Sequence, residues 1–379
     1  MAEDTSTGPG ALPERPRVLV VLPTWLGDSV MATPTLRLLR RALGTCIMVG
    51  LCRPGIDDLL AGTDFFDDVI VADARSLLGP AKTAARLKPY EFHAALLLPN
   101  SFSTAMTVRL AGIPRRIGYD RDGRSALLTH HLHPARRSAP HHGWAAISAV
   151  EYYLAAGRAC LEALGRAAGL AAPGSAPSIP LELDLTRAQE QATDDLLVRA
   201  GVPADARLAV LNPGGNNPAK RWPPERFAGV AHHLIHEHGM LVAINGSPGE
   251  ATLAHLIRDA LVLNNPDEGA RLLCLPELGG TIGTLKGLVR RCEIMVTNDT
   301  GPRHIAAAFD RPCVSLFGPT DPRWTTLPAR ADGTPREAVI VADPTLPESE
   351  LADDHAQRCR IDRITTTDVI AAVDRVLAA

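Results

Sequence analysis

Short apolar runs alternate with amphipathic segments along most of the chain. The first run, RVLVVLP at 17–23, is nearly continuous and rich in valine, which predicts a strand buried on both faces of a parallel sheet. The segment after it places Leu36, Leu39 and Leu43 at helical spacing. Because strands and helices keep alternating up to residue 120, this half predicts a doubly wound α/β domain.

A second alternating series begins at Arg207 and has the same architecture as the first. A long helical pattern at 148–170 and a segment at 171–184 dense in Pro, Gly and Ser separate the two series, which indicates a linker. We therefore expect two Rossmann-like domains facing each other, with ligands at the carboxyl ends of the strands. The predicted divisions are a flexible tail at 1–16, an N-terminal domain at 17–180, a C-terminal domain at 181–345, and a closing segment and helix at 346–379.

Composition narrows the class of protein. A length of 379 residues favours two domains, and 46% hydrophobic with 21% charged residues excludes disorder over the whole chain. A formal net charge of -3 and only 4% aromatic residues argue against a nucleic-acid partner. Seven scattered cysteines without C-x-x-C spacing are typical of reduced thiols in a cytosolic protein. No apolar run reaches the roughly 18 residues of a membrane span, and the start lacks the features of a signal peptide, so we expect a cytoplasmic protein.

The first candidate for chemistry is Asp28, which follows the first predicted strand in the segment PTWLGDSV. One interpretation is structural, because Asp is a preferred N-cap and the next helix needs one. The other interpretation is functional, because a carboxylate at the mouth of a central strand can act as a general base.

Two further segments follow strands in the second half. In NPGGNNPAKRW, Gly214 and Gly215 permit close approach of a ligand, and Lys220 supplies positive charge, although the segment lacks the Gly-Lys-Ser/Thr of a P-loop. In TNDTGPRHIAAA, residues 298–301 precede a helix whose free N–H groups can bind an anion, and His304 can add a hydrogen bond or a positive charge. The alternatives are a solvated turn and simple helix capping.

Weaker patterns favour structural interpretations. His232 and His236 have a possible metal spacing, but HHLIHEH is not the HExxH zinc motif and is typical of a solvated helix face. Asp120 and Asp122 form a D-x-D sequence that is more typical of a turn in this Arg- and Gly-rich context. The absence of G-x-G-x-x-G after the first strand argues against a nicotinamide dehydrogenase, and the absence of G-x-S-x-G argues against a hydrolase.

Taken together, these segments resemble the ADP-heptose:lipopolysaccharide heptosyltransferase family, also called glycosyltransferase family nine. The resemblance runs from Arg17 to the last helix and covers four separate motifs in the family's order. LPNSF at 98–102 and NPGGNNPAKRWP at 212–223 are most similar to the heptosyltransferase II branch. The carrying segments are RVLVVLPTWLGDSVMATPTLRLL, LLLPNSFSTAMTVRLAGIPRRIGYDRDGRSALLT, LNPGGNNPAKRWPPERFAGVAHHL, TNDTGPRHIAAAFDRPCVSLFGPTDP, and Cys359 with the closing helix.

The resemblance implies a GT-B fold and an inverting, metal-independent glycosyl transfer from ADP-heptose, with no cofactor. It also implies an acceptor domain in the first half and a nucleotide-sugar domain in the second. Asp28 matches the family's catalytic base, Lys220 matches the residue that meets the donor diphosphate, and Glu250 matches an acid that holds the ribose. The remaining residues implied for donor binding are Asn216, Asp299, Thr300, Gly301 and His304.

The implied acceptor is an acidic, lipid-linked saccharide of the lipopolysaccharide inner core, reached from the cytoplasmic face of the inner membrane. A group of arginines after the LPNSF segment can meet its negative charge, although such a group also serves solubility. Arg303 departs from the family pattern and can contact a substrate or face solvent. Other functions remain open: transfer of another nucleotide sugar, a protein acceptor, nucleotide-sugar epimerisation, or binding without turnover. The expected acceptor contacts are Arg115, Arg116 and Arg121, with Arg109 and Arg124 in the same group.

Overall fold

The computed structural model describes residues 13–72, 78–138, 143–167, 179–330, 334 and 337–378. Most of the predicted tail and most of the predicted linker lie outside these residues. The predicted domain boundaries therefore stay predictions.

The first half of the chain forms a parallel sheet of six strands flanked by helices. Its strand order is β3-β2-β1-β4-β5-β6, which is the order of a Rossmann fold. Strands β2 and β3 are added on one side of β1 and strands β4 to β6 on the other, so the topological switch point lies between β1 and β4. The strands are β1 (Arg17–Val21), β2 (Ile47–Cys52), β3 (Asp68–Val71), β4 (Ala94–Leu97), β5 (Arg115–Tyr119) and β6 (His130–Leu132). The helices are α1 (Leu26–Met31), α2 (Thr33–Leu43), α3 (Ile56–Leu60), α4 (Gly79–Leu87), α5 (Phe102–Leu110) and α6 (Ala149–Ala163).

The second half repeats this architecture. Its sheet has the order β12-β11-β10-β7-β8-β9, which is the same pattern and reverses between β7 and β10. The strands are β7 (Leu208–Asn212), β8 (Leu241–Ile244), β9 (Leu272–Cys274), β10 (Ile294–Asn298), β11 (Cys313–Phe317) and β12 (Glu337–Val341). The helices are α7 (Arg187–Arg199), α8 (Pro224–His236), α9 (Ala251–Asn264), α10 (Ile282–Arg291), α11 (Gly301–Ala308) and α12 (Thr366–Ala378).

Glycine and proline end three elements near the domain junction and in the second half. The helical pattern predicted at 148–170 gives a helix that stops at Ala163, because Gly165 adopts a left-handed conformation with φ 64°. Gly201 ends α7 in the same way, with φ 69°. The strand β9 stops at Cys274, and Pro276 lies in the short 3-10 turn that follows.

The two halves contact each other where α1 meets α11. A Cβ atom added to Gly27 would lie 2.7 Å from Cδ2 of His304 and 3.2 Å from Cα of Gly301, so neither helix could come this close with a larger residue at position 27. A second contact joins α3 to α10, where the backbone N–H of Gly283 donates to Oδ2 of Asp58 at 2.7 Å. These contacts bring the carboxyl ends of both sheets to opposite sides of one cleft.

All seven cysteines are buried and free, as expected from their spacing. Among the helices that the structure describes, none is long and apolar enough to cross a membrane.

Candidate active site

A cavity of about 720 Å³ lies in the cleft between the two halves. Its walls come from the loops that follow β1, β7, β8 and β10, that is, from the switch points of both sheets. The cavity collects the predicted base and every predicted donor residue: Asp28, Asn216, Lys220, Glu250, Asp299, Thr300, Gly301 and His304.

Asp28 lies in the first turn of α1 but does not cap it. The N-cap position belongs to Trp25, and no side chain hydrogen-bonds to the helix end there, so the capping interpretation is wrong. The hydroxyl of Tyr153 donates to Oδ1 of Asp28 at 3.1 Å. Burial and the nearby charge of Asp299 raise the pKa of Asp28, whereas the Tyr153 hydrogen bond and Lys220 act in the opposite direction. A carboxylate with a raised pKa is suited to accept a proton.

Lys220 and Asp299 form an ion pair across the cavity floor. Nζ of Lys220 lies 2.8 Å from Oδ2 of Asp299, and the Asp299 side chain is almost fully buried. Lys220 reaches this position from a short turn after β7, in which the side chain of Asn217 accepts from the N–H of Ala219. The lysine therefore presents a fixed positive charge beside Asp28.

A network of side-chain amides and hydroxyls that the sequence did not reveal joins the ends of three neighbouring strands. Nδ2 of Asn212 donates to Oγ1 of Thr300 at 2.6 Å and to Oγ1 of Thr297 at 2.9 Å, while Nδ2 of Asn245 donates to Oδ1 of Asn212 at 2.7 Å. Because both amide hydrogens and the oxygen of the buried Asn212 are engaged, the network fixes the loop that begins α11. Polar residues that end otherwise apolar strands are the signal that could have revealed it.

Glu250 holds the glycine loop after β7. Its carboxylate accepts from the N–H of Gly215 at 3.0 Å and from both the N–H and the hydroxyl of Ser247, at 2.9 Å and 2.8 Å. A Cβ atom on Gly214 would lie 2.3 Å from Oε1 of Glu250, so a larger residue at position 214 would displace this carboxylate. Burial raises the pKa of Glu250, but the hydrogen bonds outweigh it and the net effect lowers that pKa. Glu250 is therefore a stable anion that shapes the cavity wall.

The amino terminus of α11 opens on the cavity. Thr300 occupies the N-cap position without capping the helix through its side chain. Pro302 has no N–H, and the N–H of Arg303 donates to the carbonyl of Thr300 at 3.2 Å, so Gly301 offers the first-turn N–H at the cavity wall. His304, one turn in, is buried, and its Nδ1 has no hydrogen-bond partner among the described residues. Burial and the charge of Arg303 place the pKa of His304 well below its usual value. His304 is thus neutral at neutral pH and can offer a hydrogen bond but no positive charge.

Arg303 faces neither substrate nor solvent, contrary to both expectations for it. The side chain is fully buried, with Nε 2.8 Å from Oε2 of Glu337 and Nη1 2.8 Å from the carbonyl of Thr325. Its guanidinium also lies 4.9 Å from the centre of the Phe317 ring. Arg303 therefore connects α11 to β11 and β12 inside the C-terminal half.

A second cavity of about 430 Å³ lies on the N-terminal side of the cleft and shares Trp25 and Asp28 with the first. Hydroxyl and amide side chains from the loops after β1 and β4 line it, together with Arg53. The side chain of Arg53 makes no hydrogen bond or ion pair with the described residues. This cavity could not be predicted from the sequence, because its lining consists of common polar residues at scattered positions: Thr24, Asn100, Ser101, Ser103 and Thr104.

The arginines expected at the acceptor are not brought to either cavity. Arg115 and Arg116 begin β5 and pair with Ala94 and Ala95 at the start of β4. They therefore lie at the amino-terminal ends of the strands, whereas both cavities lie at the carboxyl ends. A strand of five residues separates its two ends by about 13 Å. Arg116 donates to the carbonyls of neighbouring residues, including Nε to Leu127 at 2.6 Å.

Arg121 and Arg124 of this group have structural contacts as well. Arg121 stacks on the ring of Trp144, with 4.7 Å from its guanidinium carbon to the ring centre. Arg124 is fully buried; its Nε donates to the carbonyl of Tyr119 at 2.8 Å and its Nη2 to Oδ1 of Asn100 at 3.3 Å. Arg124 thereby supports the loop that lines the second cavity from beneath.

The weaker motifs have the structural roles expected of them. Asp120 pairs with His133 at 2.7 Å, and Asp122 adopts φ 55° in a turn, which agrees with the interpretation of D-x-D as a turn. His232 pairs with Glu268 at 2.9 Å, and the ring of His236 stacks on the ring of His232. The pair at 232 and 236 is therefore engaged on the helix face.

Comparison with known proteins agrees with this geometry. The profile of glycosyltransferase family 9 (heptosyltransferase) matches residues 81–345. The chain is 28% identical over 315 residues to lipopolysaccharide heptosyltransferase 2 of Escherichia coli, which covers 82% of the chain and 84% of that protein. It is 27% identical over 314 residues to lipooligosaccharide heptosyltransferase 2 of Haemophilus influenzae, covering 81% and 85%.

Solved structures show the same fold. The structure of E. coli ADP-heptose lipopolysaccharide heptosyltransferase II superposes with a TM-score of 0.74 at 25% identity and covers 96% of the chain and 98% of that protein. A glycosyltransferase family 9 protein of Veillonella parvula gives the same TM-score, 0.74, at 18% identity, covering 96% and 97%. The expected GT-B fold, two Rossmann-like domains facing across a cleft, is confirmed.

Proposed function

Because the chain belongs to glycosyltransferase family 9, the heptosyltransferases, we propose that it transfers heptose from ADP-heptose to an acceptor of the lipopolysaccharide inner core. The observation that carries this proposal is the position of Asp28 at the junction of two cavities. One cavity has the fixed charges that a diphosphate needs, and the other has the hydroxyl and amide groups that a saccharide needs. A group-transfer enzyme requires both sites to meet at its base.

The larger cavity would hold the donor. The donor diphosphate would take Lys220 from its ion pair with Asp299 and lie against the amino terminus of α11. Glu250 and Asn216 would meet the nucleoside at the other end of the cavity. Asp299, once released, would face the sugar, and His304 would supply a neutral hydrogen bond through the Nδ1 that has no partner among the described residues.

Asp28 would act as the general base. The acceptor hydroxyl oxygen attacks the anomeric carbon, its proton passes to Asp28, and the bond from that carbon to the diphosphate oxygen breaks, which releases ADP and inverts the configuration. Tyr153 holds Oδ1 of Asp28 at 3.1 Å and so orients the carboxylate, which supports Oδ2 as the atom that takes the proton.

Metal independence is part of the proposal. The departing ADP carries developing negative charge, and preorganised positive groups can stabilise that charge without an ion. Lys220 and the amino terminus of α11 both lie in the donor cavity and can fill this role. Transfer should therefore persist after exhaustive chelation, and a loss that Mg²⁺ restores would contradict this part of the proposal.

The smaller cavity would receive the acceptor. Arg53, with no partner among the described residues, is suited to bind an anionic group of an acidic, lipid-linked saccharide. The enzyme would then work at the cytoplasmic face of the inner membrane.

The proposal is tested by incubating the purified chain with ADP-heptose and a heptose-deficient inner-core acceptor and measuring the glycosylated product. A panel of ADP-, UDP- and GDP-sugars, measured by calorimetry, tests the nucleotide. We expect product only with ADP-heptose and strongest binding for ADP compounds. Preference for another nucleotide, or conversion of free donor without any acceptor, would favour a different transferase or an epimerase instead.

A further inference from the structure

Two histidines and one aspartate meet on the outer face of the C-terminal half. His233 lies in the last turn of α8, His238 follows the end of that helix, and Asp374 lies on α12. Nε2 of His233 is 2.7 Å and Nε2 of His238 is 2.9 Å from the same atom, Oδ1 of Asp374. The three ligand atoms lie within 4.8 Å of one another, and none of these residues lines either cavity. We refer to them as the His–His–Asp cluster.

The fold brings the cluster together from distant parts of the sequence. The left-handed Gly239, with φ 65°, ends the turn after α8 and leaves His238 beside His233. The helix α12 packs on α8 through its buried face, which includes Val369 and Val373. Asp374 is the residue after the buried Val373. The packing of α12 on α8 therefore holds Asp374 beside the two histidines.

The geometry of the rings fits coordination of one ion. The two imidazole centres are 5.2 Å apart and their planes are inclined by 72°. Metal–nitrogen distances of about 2.0–2.1 Å with tetrahedral angles place two ring centres about 5 Å apart and the ligand atoms about 3.3 Å apart. The nitrogen–oxygen distances would therefore open by only a few tenths of an ångström around an ion.

Exposure and charge also suit an ion. The side chains of His233, His238 and Asp374 are 16%, 23% and 48% exposed, so water can reach the site and complete the coordination. The neighbouring guanidinium of Arg207, which donates to the carbonyl of His238 at 2.8 Å, is paired with Glu293 at 2.7 Å. Its positive charge is thus compensated and does not oppose a cation at the cluster.

We propose that the His–His–Asp cluster binds one divalent ion of the Zn²⁺ class, with water as the fourth ligand. Two imidazoles and one carboxylate suit Zn²⁺ and Co²⁺, whereas Mg²⁺ and Ca²⁺ prefer sets of oxygen ligands. The ion joins the end of α8 to the last helix of the chain and stabilises their packing. The site is separate from the cleft, so this proposal and the proposed transfer can fail independently.

The same helix supplies a matched control. His232 and His236, the pair with metal spacing in the sequence, stack with ring centres 5.4 Å apart and lie outside the cluster. The variant His232→Gln/His236→Gln therefore removes two nearby histidines and leaves the cluster intact.

Calorimetry of Zn²⁺ added to the metal-stripped, tag-free chain tests the proposal. We expect one saturable equivalent that an excess of Mg²⁺ does not displace. Asp374→Asn keeps the shape of the side chain and should weaken binding by about tenfold or more, because even partners outside the coordination sphere change affinity by that amount. His238→Gln should do the same if Asp374→Asn fails to fold, and the double control should bind like the wild type.

Two spectroscopic and thermal readouts complete the test. Co²⁺ should give the visible absorption of a four-coordinate site in the wild type and not in Asp374→Asn. Excess Zn²⁺ should raise the melting temperature of the wild type by a few degrees, since an ion that binds only the folded state stabilises it. Absence of saturable Zn²⁺ binding, equal affinity in Asp374→Asn, or loss of binding in the double control would each overturn the proposal.

Discussion

The two cavities that meet at Asp28 differ in how their polar groups are held. In the larger cavity the charged groups already have partners, as Lys220 has in Asp299 and Glu250 has in the N–H of Gly215. In the smaller cavity the lining is neutral apart from Asp28, Asp122 and Arg53, and Arg53 is without a partner among the described residues. A preorganised site suits a ligand that is the same in every reaction, the nucleotide diphosphate. A less constrained site suits the proposed saccharide acceptor.

Asp28 belongs to both cavities, so its substitution should have the largest effect on transfer. Asp28→Asn keeps the shape of the side chain and removes its ability to take a proton, so transfer should fall by about 10²–10⁴-fold. ADP affinity, measured by calorimetry, should change little. Asp120→Asn is the matched control, since Asp120 pairs with His133 outside both cavities. Near-normal turnover by Asp28→Asn would remove it as the base.

Removing the charge of Lys220 should weaken donor binding without changing acceptor binding. Lys220→Ala should weaken binding of ADP and of the donor by about tenfold to a hundredfold, because a charge-assisted contact to a phosphate contributes about 1.5–3 kcal/mol. The KM for the acceptor should stay near the wild-type value. Lys82→Ala, which changes an exposed lysine on α4, is the control. Unchanged ADP affinity in Lys220→Ala would place the diphosphate elsewhere.

Arg53 provides the corresponding test of the acceptor side. Arg53→Ala should raise the KM for the acceptor by about tenfold, as expected for one lost charged contact, and leave ADP affinity unchanged. Arg115→Ala should leave that KM unchanged, since Arg115 lies at the amino-terminal ends of the strands, away from the cleft. If Arg115→Ala raised the acceptor KM and Arg53→Ala did not, the acceptor would bind outside the smaller cavity.

Tyr153 should have the smallest effect on the rate, and its clearest effect should be on the pH profile. Asp28 must be ionised to act as a base, so activity falls as the pH drops through its pKa, and burial puts this acid limb above the usual value for an Asp. Tyr153→Phe removes a hydrogen bond that lowers this pKa, so the acid limb of kcat should move to higher pH.

Tyr90→Phe is the control for Tyr153→Phe, because Tyr90 donates a similar hydrogen bond, 2.9 Å long, to Asp68 on the outer surface. Its pH profile should match that of the wild type. An acid limb in Tyr153→Phe that does not move, or moves to lower pH, would show that Tyr153 does not tune the base.

Much of the larger cavity could be predicted from the sequence because its predicted site residues follow apolar strands. Asp28, Lys220 and Asp299 lie in the segments that follow β1, β7 and β10, and parallel strands bring their carboxyl ends to the same side of a sheet. The acceptor arginines could not be placed in this way. Arg115 and Arg116 follow a helix and begin a strand, so they lie at the amino-terminal ends of the strands although they are close in sequence to the LPNSF segment.

The sequence by itself determined the alternation of strands and helices, the two-domain plan and the loops that surround the larger cavity, because strand periodicity and strand-end position are local properties. Only the tertiary structure decided which polar groups share an environment. It joined Tyr153 to Asp28, buried Arg303 with Glu337, left His304 neutral and brought His233 to Asp374. These outcomes depend on the packing of helices far apart in the chain and on burial, which sets both hydrogen bonding and charge.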